Sequence, residues 1–267
     1  MKNKIKFFKI VILLAMIVFK LSACGEDINH ETVELGRTPS ITRTVPANVD
    51  KISFIGVSGH NYTESSIVVE RRSTPLIIVL ENVYAVGRRG RNGNWHEDGG
   101  NGMSVIRVDG TPIDITIFNQ GLQNGLIGGE GGTGGGGSRG NRGRRGGKGA
   151  TPIIGVNKLT ITGSATLVLG GGNGGRGGEG GGSNSLTNFG NPGGHGGDAG
   201  IAVTANQFIV NMTLAGVTIQ AAKGGGGGPP WGNSSRGNPG QDDTKKYENI
   251  SGSSIEPQIL GGGLDNK

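Results

Sequence analysis

The side chains with the plainest chemistry stand in a background almost free of side chains. Arg139, Arg142, Arg144, Arg145 and Lys148 fall within one short glycine-rich stretch, with Glu130 the acid nearby. Guanidinium groups spaced by glycine can fork onto carboxylate, sulfate or phosphate oxygens. The same charges can also simply keep a glycine loop soluble and apart from its neighbours. Arg88, Arg89 and Arg91 are expected to join this group from a preceding segment. Trp95 and Trp231 lie in polar, glycine-rich surroundings. An exposed indole is a platform for the apolar face of a sugar ring, whereas an indole folded back covers the end of a core. Both roles are open to these two tryptophans.

Patterns of catalysis fail their context. Gly172-Asn173-Gly174-Gly175-Arg176-Gly177 has the spacing of a dinucleotide loop but opens no helix and belongs to no strand-helix-strand unit. Gly147-Lys148 is followed by Gly149 rather than Ser or Thr, which removes a P-loop. Gly193 to Asp198 approaches a calcium-binding nonapeptide without the following apolar residue or a tandem copy, so Asp198 reads as a turn former. His30, His60, His96 and His195 are scattered, and His96-Glu97-Asp98 reads as a cation or sugar contact or as a solvated turn. No ladder of paired carboxylates suits glycoside or lyase chemistry. The expectation is a non-enzymatic chain with no metal and no cofactor.

The global charge is partly an address. The chain has 267 residues and a net charge of +6, but five of its 26 cations, Lys2, Lys4, Lys6, Lys9 and Lys20, precede residue 24, leaving 21 against 20 acids. Electrostatic arguments must therefore be local. The apolar run from Ile10 to Phe19 is too short to span a bilayer, and Leu21-Ser22-Ala23-Cys24 ends in the chain's single cysteine. A single cysteine excludes an internal disulfide and a Cys-rich metal site. This segment resembles a bacterial lipoprotein signal, which implies that Cys24 is acylated and becomes the mature N-terminus. Gly25 is not the Asp linked to inner-membrane retention, so an outer-membrane, surface-exposed location is implied. The alternative is an ordinary secretory peptide followed by a free thiol. Residues 1–23 are then the signal, and 24–46, polar and aperiodic, a tether reaching roughly 25 Å.

Behind these residues stands a repeat. With 57 Gly but only Trp 2, Tyr 3 and Phe 7, an ordinary globular core is excluded, and the absence of a Gly-X-Y period excludes collagen. Blocks anchored at Gly99-Gly100, Gly146-Gly147 and Gly196-Gly197 each run through three short apolar segments. The middle ones alternate: Ile113, Ile115, Ile117; then Leu159, Ile161; then Phe208, Val210, Met212, Leu214. Period two means strands with one buried face. Thr74 to Asn82 parallels Thr111 to Asn119, and the position matching Asp114 falls on Thr160. Each block must bury its apolar row against the next. The expected fold is therefore all-β: a short right-handed parallel β-helix over 47–241, its first rung capped by Val45 to Ile52, with 242–267 a C-terminal cap or tail. Glycine-rich stretches at 128–149, 170–198 and 224–241 should leave from one corner, either packed as polyglycine II helices or as mobile loops.

The run Gly149 to Gly172, with Pro75 to Asn82 and Ile113 to Gly129, resembles the rungs of bacterial right-handed β-helix proteins classed as carbohydrate-binding. Gly224 to Gly232, with its Pro-Pro-Trp, is similar in composition to glycine-rich phage tail-fibre adhesins. These likenesses imply a binding or adhesion module for an acidic glycan or a host matrix component, tethered to the membrane through its N-terminal lipid. The rivals are a structural envelope protein and a polysaccharide-acting enzyme. Arg-Gly-Gly triplets at Arg145 and Arg176 also occur in nucleic-acid-binding segments, but outside the cell nucleic acid is not the expected partner.

Overall fold

In the segment Ile113-Asp114-Ile115-Thr116-Ile117 every second side chain turns inward, because successive residues of a strand face opposite sides of the sheet. The computed structural model describes residues 28–138, 141–182, 190–212, 216–242 and 258–260, and no helix occurs among them. One sheet is built from β1 (His30–Gly36), β3 (Lys51–Gly56), β5 (Leu76–Glu81), β8 (Ile113–Gln120), β11 (Val156–Gly163) and β13 (Ala205–Met212), neighbours in that order. All its pairings are parallel, and they stack Ile52, Ile78, Ile117, Ile161 and Val210 in register as one buried column. Leu76, Ile115, Leu159 and Phe208 form a second. Each such buried side chain stabilises the fold by about 1.5–3 kcal/mol.

The remaining strands form a second, nine-stranded parallel sheet. It comprises β2 (Thr42–Val45), β4 (Asn61–Val69), β6 (Tyr84–Gly87), β7 (Ile106–Val108), β9 (Gln123–Ile127), β10 (Ile153–Ile154), β12 (Thr166–Gly170), β14 (Val217–Gln220) and β15 (Gln258–Leu260). Its order is β10-β7-β4-β6-β9-β12-β14-β15, with β2 against β4. Tyr62, Ile67, Leu126, Leu167 and Ile219 from this sheet join the first sheet's columns in a single core.

This arrangement corrects the expected right-handed β-helix of three strands per rung. The chain is all-β, but its strands gather into two sheets, because β4 serves two roles. Its first half pairs with β6 and its second half with β2 and β7, the change coming where the register shifts between Tyr62 and Ser65. Glu64 there has φ 55, a conformation that bends a non-glycine strand. The segments expected as separate first strands shrink along the chain: three residues in β7, two in β10, and no strand at 201–204. Pro152 has no N–H to offer β10, and Gly155 at φ +80 ends it.

Two further expectations are corrected. The stretch read as tether to residue 46 carries β1 and β2, which bury Leu35 and Val45, and Ile41 just before β2 is buried as well. As outer strands they bury few side chains, which is why their sequence looks aperiodic. The repeats are also offset by two residues: Leu76 pairs with Ile115 rather than Ile113, and Asp114 with Lys158 rather than Thr160. A slip of two leaves the same face inward, so alternation alone does not reveal it.

The glycine-rich stretches leave after β6, β9, β12 and β14, four strands that are neighbours in the second sheet. Each runs outward and returns: residues 87–94 and 97–103, 128–138 and 141–150, 170–182 and 190–200, 222–230 and 236–241. They bond to one another with a repeat of three residues. Gly174 N–H donates to Lys223 in the next outgoing segment at 2.9 Å and Gly175 N–H to Gly147 in a returning one at 2.8 Å, while Arg176 stays exposed. Gly177, Gly178 and Glu179 repeat the pattern toward Gly226 and Arg144. Glycine is required by approach: a Cβ at Gly175 would stand 2.0 Å from Gly132 O, and one at Gly147 1.9 Å from Gly100 O.

Candidate functional site

A repeat of three sends every third residue away from the array, so the outgoing segments present one face and the returning segments the opposite one. At several outward positions on both faces the residue's own N–H is taken up by a side chain of the neighbouring segment. On the outgoing face Thr133 N–H donates to Asn92 Oδ1 at 3.0 Å and Lys223 N–H to Asn173 Oδ1 at 2.9 Å. On the returning face Arg145 N–H donates to Asp98 Oδ1 and Lys148 N–H to Asn101 Oδ1, both at 2.9 Å. At these positions short polar side chains thereby satisfy the donor that the glycine bonding leaves over.

Trp95 sits at the turn of the first excursion and Trp231 at the turn of the fourth. The structure brings them into one groove of about 730 Å³, floored by Gly136, Gly137, Gly180, Gly181 and Gly182, with Ser138 and Glu179 adding polar atoms. Trp95 is 70% and Trp231 51% exposed, so neither covers the core. Each indole lies on glycine: Cζ3 of Trp95 would be 3.5 Å from a Cβ at Gly136, and Nε1 of Trp231 3.5 Å from one at Gly182. The floor is free of side chains because Gly136 and Gly182 occupy outward positions where other triplets carry Arg, Glu or Asn. Glu179 is the charged side chain that lines the groove.

The cationic group divides. Arg142, Arg144 and Arg145 line a smaller depression of about 280 Å³ on the returning face with Asp98, Asn141, Gly143 and His195. Lys148 Nζ lies 3.4 Å and Arg145 3.7 Å from Asp198 Oδ2. Asp198 Oδ1 also accepts Gln241 N–H at 3.2 Å. That backbone bond, then Lys148 and Arg145, hold the Asp198 carboxyl below its ordinary range against partial desolvation. Arg88, Arg89 and Arg91 do not join the group: they line a separate depression with Glu64, Asn101 and Met103. Of His96-Glu97-Asp98, Glu97 accepts Asn94 N–H at 3.3 Å, and Asp98 is bonded to Arg145 as described. Arg139 and Cys24 lie outside the described residues.

Glu179, Asp98, His195 and Asp198 are the site residues that sequence reasoning passed over or read as turns. The signal was present in their spacing. Arg176 and Glu179, Arg142, Arg145 and Lys148, and His195 and Asp198 are each three apart, the period that puts them on one face. Comparison with known protein families, curated proteins and solved structures gives no match for this chain.

Proposed function

We propose that this chain is a glycan-binding or adhesion module that acts by binding and not by turnover. The observation that carries this reading is the shared groove of Trp95 and Trp231. Two exposed indoles over a glycine floor offer flat apolar surfaces with no bulk between them, which suits sugar rings whose axial hydrogens form an apolar face. The scaffold behind the groove is a hydrogen-bonded array, so little ordering opposes binding. Glu179 supplies an acceptor for sugar hydroxyls. Among the described residues it is the single carboxylate on the groove, whereas cleavage of a glycosidic bond uses a pair.

Titration of the full chain in detergent with a panel of neutral and acidic oligosaccharides, followed by tryptophan fluorescence and calorimetry, tests the reading. Trp95→Ala and Trp231→Ala are each expected to weaken binding about tenfold or more. Binding to no member of the panel, or equal binding by both variants, overturns it.

The sequence features at the N-terminus support a companion proposal, that Cys24 is acylated and anchors the module to the outer membrane, facing outward. The Lys-rich start, the short apolar run and Leu21-Ser22-Ala23-Cys24 carry it. Cys24→Ser should move the protein from the membrane to the soluble fraction and remove the mass of the acyl chains from the mature N-terminus. An unchanged distribution and mass would count against the anchor.

A further inference from the structure

The depression on the returning face contains a conflict between donors that a bound anion would resolve. His195 Nδ1 lies 3.0 Å from Asn238 N–H, and His195 Nε2 lies 2.7 Å from a guanidinium nitrogen of Arg142. A neutral imidazole has one acceptor nitrogen, and the other carries a proton. Whichever nitrogen is protonated, one contact therefore sets two donors against each other, and a doubly protonated ring opposes both. With Nδ1 accepting from Asn238, the Nε2 proton faces Arg142. An oxygen carrying negative charge beside the pair would accept from both.

The cations around this contact are in excess. Among the described residues no carboxylate lies within ion-pair distance of Arg142 or Arg144, while Asp198 engages Arg145 and Lys148. Asp98, among the described residues the one acid lining the depression, accepts the backbone N–H of Arg145 at Oδ1. The volume of about 280 Å³ holds a small oxyanion with its first waters, water taking roughly 30 Å³ each in the liquid. It is less than half the volume of the tryptophan groove.

We infer that Arg142, Arg144 and His195 form an oxyanion site, on the face of the array opposite the tryptophan groove. Its ligand is a sulfate or similar oxyanion, either free or borne on an acidic saccharide. The site does not depend on the groove, so either can fail alone.

The test uses the full chain in detergent and three probes: inorganic sulfate against chloride at equal ionic strength, a sulfated oligosaccharide, and the same oligosaccharide desulfated. The sulfated saccharide is expected to bind about tenfold more tightly than the desulfated one at low salt, the advantage fading as salt screens it. Arg142→Ser with Arg144→Ser should bring that ratio to one without changing the thermal midpoint or the affinity for the desulfated probe. Trp95→Ala should leave the effect of the double substitution intact. Binding of inorganic sulfate that the double substitution removes assigns the site to a free anion. A response to the sulfated saccharide alone assigns it to a polymer. Equal affinity for all probes, or a sulfate preference that survives the double substitution, overturns the inference.

Discussion

Lys148 and Asp198 face each other at 3.4 Å across two returning glycine segments, and the same carboxylate accepts the backbone N–H of Gln241 in a third. One acidic side chain thus links three returning segments of the array, by an ion pair on one side and a backbone hydrogen bond on the other. Its carboxyl titrates below the ordinary value of 3.8. A group whose folded value is depressed stabilises the fold above its unfolded value, and that stabilisation is lost as pH falls through the folded one. The thermal midpoint should therefore drop on acidification below about pH 4, and Asp198→Asn should flatten that part of the profile. A variant with the same acid slope as the parent would show that Asp198 does not link the layers energetically.

Gly225 and Gly226 are adjacent but unequal. A Cβ at Gly225 would stand 1.9 Å from Gly175 O, whereas one at Gly226 meets nothing within 4 Å. Gly225→Ala should destabilise by about 3 kcal/mol or more through forced separation of segments. Gly226→Ala should fall within about 0.5 kcal/mol, or stabilise slightly by restricting the unfolded chain. Denaturation midpoints of the two variants decide it, and equal losses would contradict the three-residue packing.

Arg72 is 1% exposed in its side chain and ties the loop before β5 to the loop before β3. Its guanidinium donates to the carbonyls of Val49, Thr74 and Pro75, to the Thr74 hydroxyl and to Asp50. Arg72→Ala strands the buried Val49 carbonyl, empties a buried side-chain site and removes five hydrogen bonds at once, and should destabilise by about 3 kcal/mol or more. Arg72→Lys should recover only part, since an ammonium cannot reproduce the fork. Equilibrium unfolding of both variants is the check, and full recovery by lysine would show that charge alone suffices.

Glu179, in the lining of the groove, is expected to act as an acceptor for sugar hydroxyls. Glu179→Ala should weaken neutral glycan binding about tenfold, and Glu179→Gln, which keeps a carbonyl acceptor, should stay within about threefold of the parent. Calorimetric titration separates the two, and an unaltered affinity in the alanine variant would place the ligand elsewhere in the groove.

The strands of the core were legible because Ile113, Ile115 and Ile117, like Leu159 and Ile161, write their period into the chain. Their register was not, since the stack of Leu76 on Ile115 differs from the matched repeats by two residues and leaves the same side chains buried. The sharing of β4 between two pairings hangs on Glu64, where nothing local in Tyr62-Thr63-Glu64-Ser65 marks a bend. The arginines and tryptophans were legible as candidates, but their grouping was not. Trp95 and Trp231 share a groove because each lies over an outward glycine of the two excursions between them, Gly136 and Gly182, and Arg88 parts from Arg142 because one stands on an outgoing segment and the other on a returning one.

The bonding of Gly174, Gly175 and Arg176 also sets how such a protein can change length. Adding a whole triplet to an outgoing segment and another to its return extends the arm by one step and restores every contact. Adding a single residue turns all later side chains through a third of a revolution, pointing Arg or Glu into the packed interior and glycine out. Arms of this kind are rulers marked in threes: variation is confined to the marks that face outward and to the tips, where loops can be exchanged without disturbing the core beneath.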